Sequence, residues 1–314
     1  MRHFRAASML PALLLACITL CLSALLLGCG AQSKSDSSSA AASSSAVVPV
    51  EGQLTVKMLN VGQGDAILIQ TAEQTVLVDT SDVDEREKLA RELKKAGVTK
   101  IDKVILTHPH ADHIGGMDVL LSGGYTVGAI YDNGMPSTSK LFTGYLKKAK
   151  AQGVKRQGLK EGDVLDFGGG ARFEVLSPSA DLVAKGQAKG YKHDPNNESV
   201  VGRLVFGSFT MLLTGDAEKE TEAAILAAHR DGVKSLVLKA PHHGSHTSSS
   251  KAYLDAVQPE VCLISCGAGN DYGHPHKETL DAYQKIHAKV FRTDTNGTIT
   301  LTTDGKTYDV KGEQ

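Results

Sequence analysis

Residues 107–113 read THPHADH, directly after the apolar run KVIL (103–106). Three histidines and one aspartate fall in a single short loop. Two imidazoles two positions apart, His108 and His110, can flank one ion from an extended loop. Asp112 and His113 face a second, and Pro109 stiffens the turn between them. Neutral imidazole with carboxylate suits Zn²⁺ and tolerates Mn²⁺ or Fe. The bland alternative is a histidine-rich surface loop, so the surroundings of the stretch decide.

Four further polar clusters follow apolar runs in the same way. Asp79 follows TVLV (75–78), and Thr214-Gly215-Asp216 follows FTMLL (209–213). His242 and His243 follow SLVLKAP (235–241), and His274-Pro275-His276 follows CLISCGAGNDYG (262–273). Seven of the 12 histidines lie in these clusters, whereas a solvated surface would scatter them. Strand ends along one edge of a sheet converge, so these loops are expected to meet.

The runs between them set the fold class. LTVKMLNV, DAILIQTA and QTVLVDT read as a strand meander. DEREKLARELKKAGV reads as an amphipathic helix with Leu89 and Leu93 on one face and Gly97 at its end. KVILT is a buried strand, GGMDVLLSGG a short helix, VGAIYDN a strand and TSKLFTGYLKKAKAQG a helix. Two antiparallel strand regions open the second half, followed by alternating helices and strands. Asn296-Gly297 and Asp304-Gly305 are read as hairpin turns in the C-terminal stretch. This order predicts an α/β fold of two mixed sheets, face to face, with helices on the outside. No internal repeat of 20–50 residues is present.

The first residues read differently. A basic start (Arg2, Arg5) precedes the apolar run 9–28, and Leu26-Leu27-Gly28-Cys29 closes it. That order is a secretory signal. The competing reading, an uncleaved membrane helix, leaves the small Gly28 and Cys29 without a purpose. Residues 30–51 are rich in Ser and Ala and read as a flexible tether, leaving 52–314 as the folded domain. The expectation is an extracytoplasmic, tethered protein with no transmembrane channel in this chain. The net charge is −1, and loss of Arg2 and Arg5 moves it further to the acidic side. No strong positive field captures nucleic acid by charge alone. Cys262 and Cys266 lie in one apolar strand, about 13 Å apart, too far for a disulfide and read as buried thiols.

The motif H-x-H-x-D-H, with Asp79 before it and Thr-Gly-Asp and a further His after it, resembles the metallo-β-lactamase superfamily of hydrolases. The resemblance spans about 52–314. It implies an αββα sandwich with two divalent metal ions, Zn or Mn. It implies that His108 and His110 hold the first metal, Asp112 and His113 the second, and that Asp216 bridges both. His243 is the expected last ligand of the second metal. His242 contacts substrate, or the two exchange roles. Asp79 is expected behind the ligands, orienting their rings. A third histidine for the first metal, expected before Thr-Gly-Asp, is missing: in HDPNNESVV (193–201) Asn197 takes that place and His193 stands four residues earlier. A plain turn at Asn196-Asn197 is the alternative. The LLGC ending (26–29) likewise resembles the lipobox of bacterial lipoproteins, which implies a lipid on Cys29.

A finer resemblance rests on LNVGQGDAILI (59–69), HPHADHIGG (108–116), NNESVV (196–201), LLTGDAE (212–218), APHHGSHTSS (240–249) and YGHP (272–275). These are similar to the extracellular hydrolase domain of the competence DNA-uptake family ComEC, itself similar to phosphorylcholine esterase domains of cell-surface proteins. No channel helices follow here, which puts a role in uptake in doubt. The resemblance implies a phosphodiesterase or nuclease in which water is activated between two metals, with a phosphodiester, DNA among the candidates, as substrate. Asp112 and Asp216 fix the geometry, and His242 or His274 protonates the leaving oxygen. The bridging Asp216 argues against a β-lactamase. The rivals are a phosphorylcholine-type esterase and a tethered DNA- or wall-binding module with a weak metal site. Gly62 and Gly64 are read as a tight turn. Asp65 either reaches the metal loop or caps that turn. His229, His276 and His287 are read as surface residues.

Overall fold

The computed structural model describes residues 52–314. The leader, Cys29 and the tether lie outside the described residues. The first strands are β1 (Leu54–Met58), β2 (Ile67–Gln70), β3 (Thr75–Val78), β4 (Lys100–Ile105), β5 (Thr126–Asp132) and β6 (Lys155–Gly158). Then come β7 (Val164–Gly168), β8 (Ala171–Ser177), β9 (Val201–Phe206), β10 (Phe209–Leu213) and β11 (Val237–Lys239). The chain continues with β12 (Val261–Ile264), β13 (Lys289–Arg292), β14 (Ile299–Thr303) and β15 (Tyr308–Gly312). One sheet has the order β15-β14-β1-β2-β3-β4-β5-β6, the other β13-β12-β11-β10-β9-β8-β7. Both are mixed: β3 to β6 and β10 to β13 pair in parallel, the other strands antiparallel. The predicted fold class is the one observed.

Side-chain alternation explains the layers. Successive residues of a strand point to opposite faces. Ile67, Ile69, Val76 and Val78 from one sheet meet Phe173, Leu204, Met211 and Leu263 from the other in a central core. Leu68, Leu77 and Val104 point outward and are covered by Leu89, Leu93, Leu120 and Phe142 from helices. On the far side Leu212, Leu238, Cys262 and Ile264 pack under Ile225, Leu254 and Tyr283. The strands near the middle of each sheet are therefore apolar on both faces, as sheets covered on both sides require. The helix Arg86–Lys95 buries Leu89 and Leu93, the face expected of it.

Two sequence expectations differ from the structure. Asn296-Gly297 is not a hairpin turn. It ends a short helical turn, Thr293–Asn296, that carries the chain from β13 in one sheet to β14 in the other. The local Asn-Gly signal is satisfied by the left-handed Gly297, but the strands on either side belong to different sheets. The helix Ala180–Gly186 and the exposed edge strand β6 were not anticipated. Asp304-Gly305 does turn between paired strands, β14 and β15. Among the described residues, no helix is long and apolar enough to cross a membrane.

Candidate metal centre

The carboxyl ends of β3 and β4, which run parallel, and of β10, β11 and β12, also parallel, deliver the polar loops to one edge of the sandwich. The clefts of α/β proteins form at such ends. Asp79 ends β3 in the left-handed region, at φ 59°. Its two oxygens accept from the Thr107 backbone N–H and hydroxyl, both 2.8 Å away. Oδ2 also meets His113 Nδ1 at 2.8 Å. One carboxylate thus fixes the start of the THPHADH loop and the orientation of its last histidine.

The glycine turn before β2 braces the same loop. The Asp65 N–H donates to the carbonyl of Asp112 (3.0 Å), and Ser265 Oγ donates to the carbonyl of Gly64 (2.7 Å). Gly64 lies at φ +123°, and a Cβ there would come within 2.4 Å of the Asp112 carbonyl oxygen. Asp65 reaches further than a turn cap: its carboxylate pairs with buried Lys239 at 2.5 Å and lies 3.5 Å from His243 Nδ1.

Asp216 is the hub. Its carboxylate lies 3.2 Å from His113 Nε2, 3.5 Å from His243 Nε2, 3.8 Å from His242 Nε2 and 4.0 Å from His108 Nε2. Asp112 lies 3.2 Å from His243 Nε2 and 3.8 Å from His113 Nε2. One ligand atom from each of Asp112, His113, Asp216 and His243 falls within 4.8 Å of the others. Beside them, His108 Nε2 and His110 Nδ1 face each other at 3.0 Å. His113 Nε2, His243 Nε2 and an oxygen of Asp216 are buried without a hydrogen-bond partner. Stranded buried polar atoms are costly, and three of them converging from N and O donors fit a divalent cation.

Electrostatics point the same way. Burial disfavours charge on His243, yet the carboxylates of Asp216 and Asp65 outweigh it and raise its pKa to about 10. His113 is raised well above its usual range: burial opposes, but Asp216, Asp79 and Asp112 prevail. Asp216 is held well below the usual carboxylate range by His113 and His243, against its own burial. The cluster therefore demands positive charge. His108 is pushed down, first by burial and then by His113, and stays neutral.

His242 and His243 occupy consecutive left-handed positions, φ 49° and 54°, in the turn Pro241–Gly244. Such non-glycine geometry costs roughly 1–3 kcal/mol per residue and persists where the surroundings enforce it. His274 also belongs to the cluster, with its ring 5.4 Å from that of His242. Burial, His243 and His242 lower its pKa to about 4, so it is uncharged at neutral pH. His276 pairs with His246 outside the cluster, their rings 4.5 Å apart.

Asn197 does not take the place of a ligand. Its side chain accepts from the N–H groups of Glu218 and Thr221 at the start of the helix Lys219–His229. His193 is engaged with Glu198 at 3.0 Å. Asn196, not Asn197, lines the site. A turn with two adjacent asparagines points them to opposite sides, and the sequence does not say which faces in. Ser199, Glu218, Lys239 and Tyr272 were not anticipated. Lys239 left a signal, a lone cation closing an apolar strand, and such a residue needs a buried partner.

The site opens into a cavity of about 580 Å³, whose lining includes Asp82, Asp84, Glu85, His242, Tyr272 and His274. Tyr272 is 65% exposed and stacks on His274, with ring centroids 5.6 Å apart. Cys262 and Cys266 are free, buried thiols, as read from the sequence.

Residues 59–268 match the sequence profile of the family described as the metallo-beta-lactamase superfamily. The chain belongs to that superfamily. Among curated relatives, ComE operon protein 3 of Bacillus subtilis (strain 168) is 35% identical over 263 residues, covering 78% of this chain and 32% of its own length. Competence protein ComA of Neisseria gonorrhoeae is 31% identical over 250 residues, with coverage of 79% and 32%. The chain thus spans about a third of the length of the curated relatives it matches. Among solved structures, the metallo-beta-lactamase fold protein YhfI from Bacillus subtilis superposes with a TM-score of 0.51 at 15% identity, covering 81% of this chain and 100% of YhfI.

Proposed function

We propose that the protein is a metal-dependent phosphodiesterase, with nucleic acid the favoured substrate class, held outside the cytoplasm by a lipid on Cys29. The observation that carries this reading is the Asp216 carboxylate, within 4.0 Å of four imidazole nitrogens. A carboxylate so surrounded is suited to lie between two ion positions. His108 and His110 would hold one ion; Asp112, His113 and His243 would hold the other. Bound there, divalent ions supply a Lewis acid and make water a nucleophile at neutral pH. Asp112 and Asp216 fix the geometry, and Asp79 orients the His113 ring through its Nδ1. His274, uncharged at neutral pH, offers a neutral N–H to a substrate oxygen rather than a formal positive charge. The competence names of the relatives support nucleic acid.

A second reading has its own support. Asp82, Asp84 and Glu85 in the cavity lining repel a polyanion, and with Tyr272 they suit a cationic substituent on the phosphodiester. A phosphorylcholine-type ester carries one. The test is hydrolysis by the full-length protein in detergent, loaded with Mn²⁺ or Zn²⁺. Single- and double-stranded DNA, bis-p-nitrophenyl phosphate and p-nitrophenylphosphorylcholine are compared, with a His110→Ala/Asp112→Ala control. Metal-dependent cleavage of DNA, lost in the control, is expected. Cleavage of the choline ester alone would move the assignment to the second reading. DNA binding with no ester cleaved would leave a binding module.

A further inference from the structure

We propose that His242 is a ligand of the first metal position, completing the set begun by His108, His110 and Asp216 in place of the histidine missing from 193–201. The inference rests on the two-metal reading above and assigns its unfilled place.

The argument begins with how the rings are held. A metal-ligating histidine donates its other ring N–H to an oxygen, which fixes the tautomer and aims the free nitrogen. His108 Nδ1 faces Thr107 Oγ1 at 3.1 Å, and His113 Nδ1 faces Asp79 at 2.8 Å. His243 Nδ1 faces the carbonyl of Ser265 at 2.9 Å. His242 repeats the pattern: its Nδ1 lies 3.0 Å from Glu218 Oε1 and 3.2 Å from Thr247 Oγ1. Its Nε2 is thereby turned to Asp216 Oδ2, 3.8 Å away, the oxygen that His108 Nε2 also approaches. His274 supplies the contrast. Its Nδ1 is buried without any partner, so no oxygen fixes its tautomer, and its ring is held by stacking with Tyr272 instead.

The loop that lacks the histidine still serves the position. Asn196 Nδ2 donates to Glu218 Oε1 at 3.2 Å, and Thr247 Oγ1 donates to the same oxygen at 3.1 Å. Asn196 thus holds the carboxylate that holds His242. The consecutive left-handed backbone at His242 and His243 is explained as well. It fans two neighbouring imidazoles apart, their ring planes 66° from parallel, one for each ion position. The carboxylate behind the ring and the shared approach to Asp216 Oδ2 are together what a ligand at this position requires.

The test is metal binding by the full-length protein, read without turnover. Metal-free wild type, His242→Asn, His243→Asn and Glu218→Gln are titrated with Co²⁺, followed by ligand-field absorption and by elemental analysis after desalting. Asparagine tolerates the left-handed conformation, and circular dichroism checks that each variant is folded. Wild type is expected to take up two ions. His242→Asn should retain one tightly, with the second weakened at least 10-fold and the spectrum of one site changed. Glu218→Gln, which keeps the fold but loses the carboxylate, should weaken the same ion in the same direction. Two ions held by His242→Asn at unchanged affinity and with an unchanged spectrum would overturn the proposal and leave His242 to the substrate. A wild type that binds no Co²⁺ would instead remove the two-metal reading itself.

Discussion

His243 and His113 sit among the buried carboxylates of Asp65, Asp79 and Asp216 and the half-buried one of Asp112, with Lys239 as the buried ammonium beside them. With no ion bound, both imidazoles keep a proton at neutral pH. A metal takes the neutral ring, so binding must displace those protons. The sign follows: the His243 pKa is raised to about 10, so apparent metal affinity falls as pH drops below that value. Calorimetric titration at pH 7 in buffers of different ionisation heat is expected to show release of about two protons at saturation. His243→Asn should release about one fewer. In the metal-free protein the same charge stabilises the fold fully below about pH 6.5, and that contribution is lost as pH rises through about 10. Lys239 is charged for a related reason: burial lowers its pKa, but Asp65 and Asp216 more than restore it. Lys239→Met takes the 2.5 Å ammonium partner from buried Asp65 and leaves it only the more distant His243, at a cost of about 3–5 kcal/mol, measurable by urea unfolding of the metal-free protein. At this scale the residues that cluster were legible, because metal chemistry limits candidates to a few residue types, and the structure brings Asp112, His113, Asp216 and His243 together. Glu218 and Asn196 were not, because their partners lie 24 and 22 residues away and both residue types are ordinary in exposed turns.

The elements around the site work as braces. The turn at Gly62–Gly64 is wedged against the THPHADH loop, and its glycine geometry reflects that contact more than the turn itself. Gly64→Ala would drive a methyl group into the Asp112 carbonyl and force an L residue to φ +123°. The expected outcome is a protein that retains its circular dichroism spectrum, melts at lower temperature and binds metal at least 10-fold more weakly. Retention of wild-type metal affinity would show that the loop does not depend on this brace. Element types were readable because the middle strands are short continuous apolar runs while β1, β8 and β14 alternate. Partners were not. Asn296-Gly297 carries a strong local turn signal, yet whether the flanking strands pair is decided by β1 and β12, which lie far away in sequence and occupy the neighbouring places.

At the scale of the molecule, β1 lies between β2 and β14, so the first sheet is closed by strands from both ends of the described chain. The family match, 59–268, includes neither β1 nor β14. Ile299 and Leu301 of β14 nonetheless reach into the central core beside Val56 and Met58. A protein emerging from the ribosome therefore makes its whole constellation of ligands before the strand that seals β1 exists. Until β14 arrives, β1 presents an open, apolar edge, the kind that recruits other chains. Truncation after residue 297 is expected to give aggregated protein although every ligand is present, seen as loss from the soluble fraction. Restoring residues 298–314 as a separate chain during refolding should recover solubility. The docking of β14, rather than the chemistry of the site, then sets when this centre first becomes safe to load.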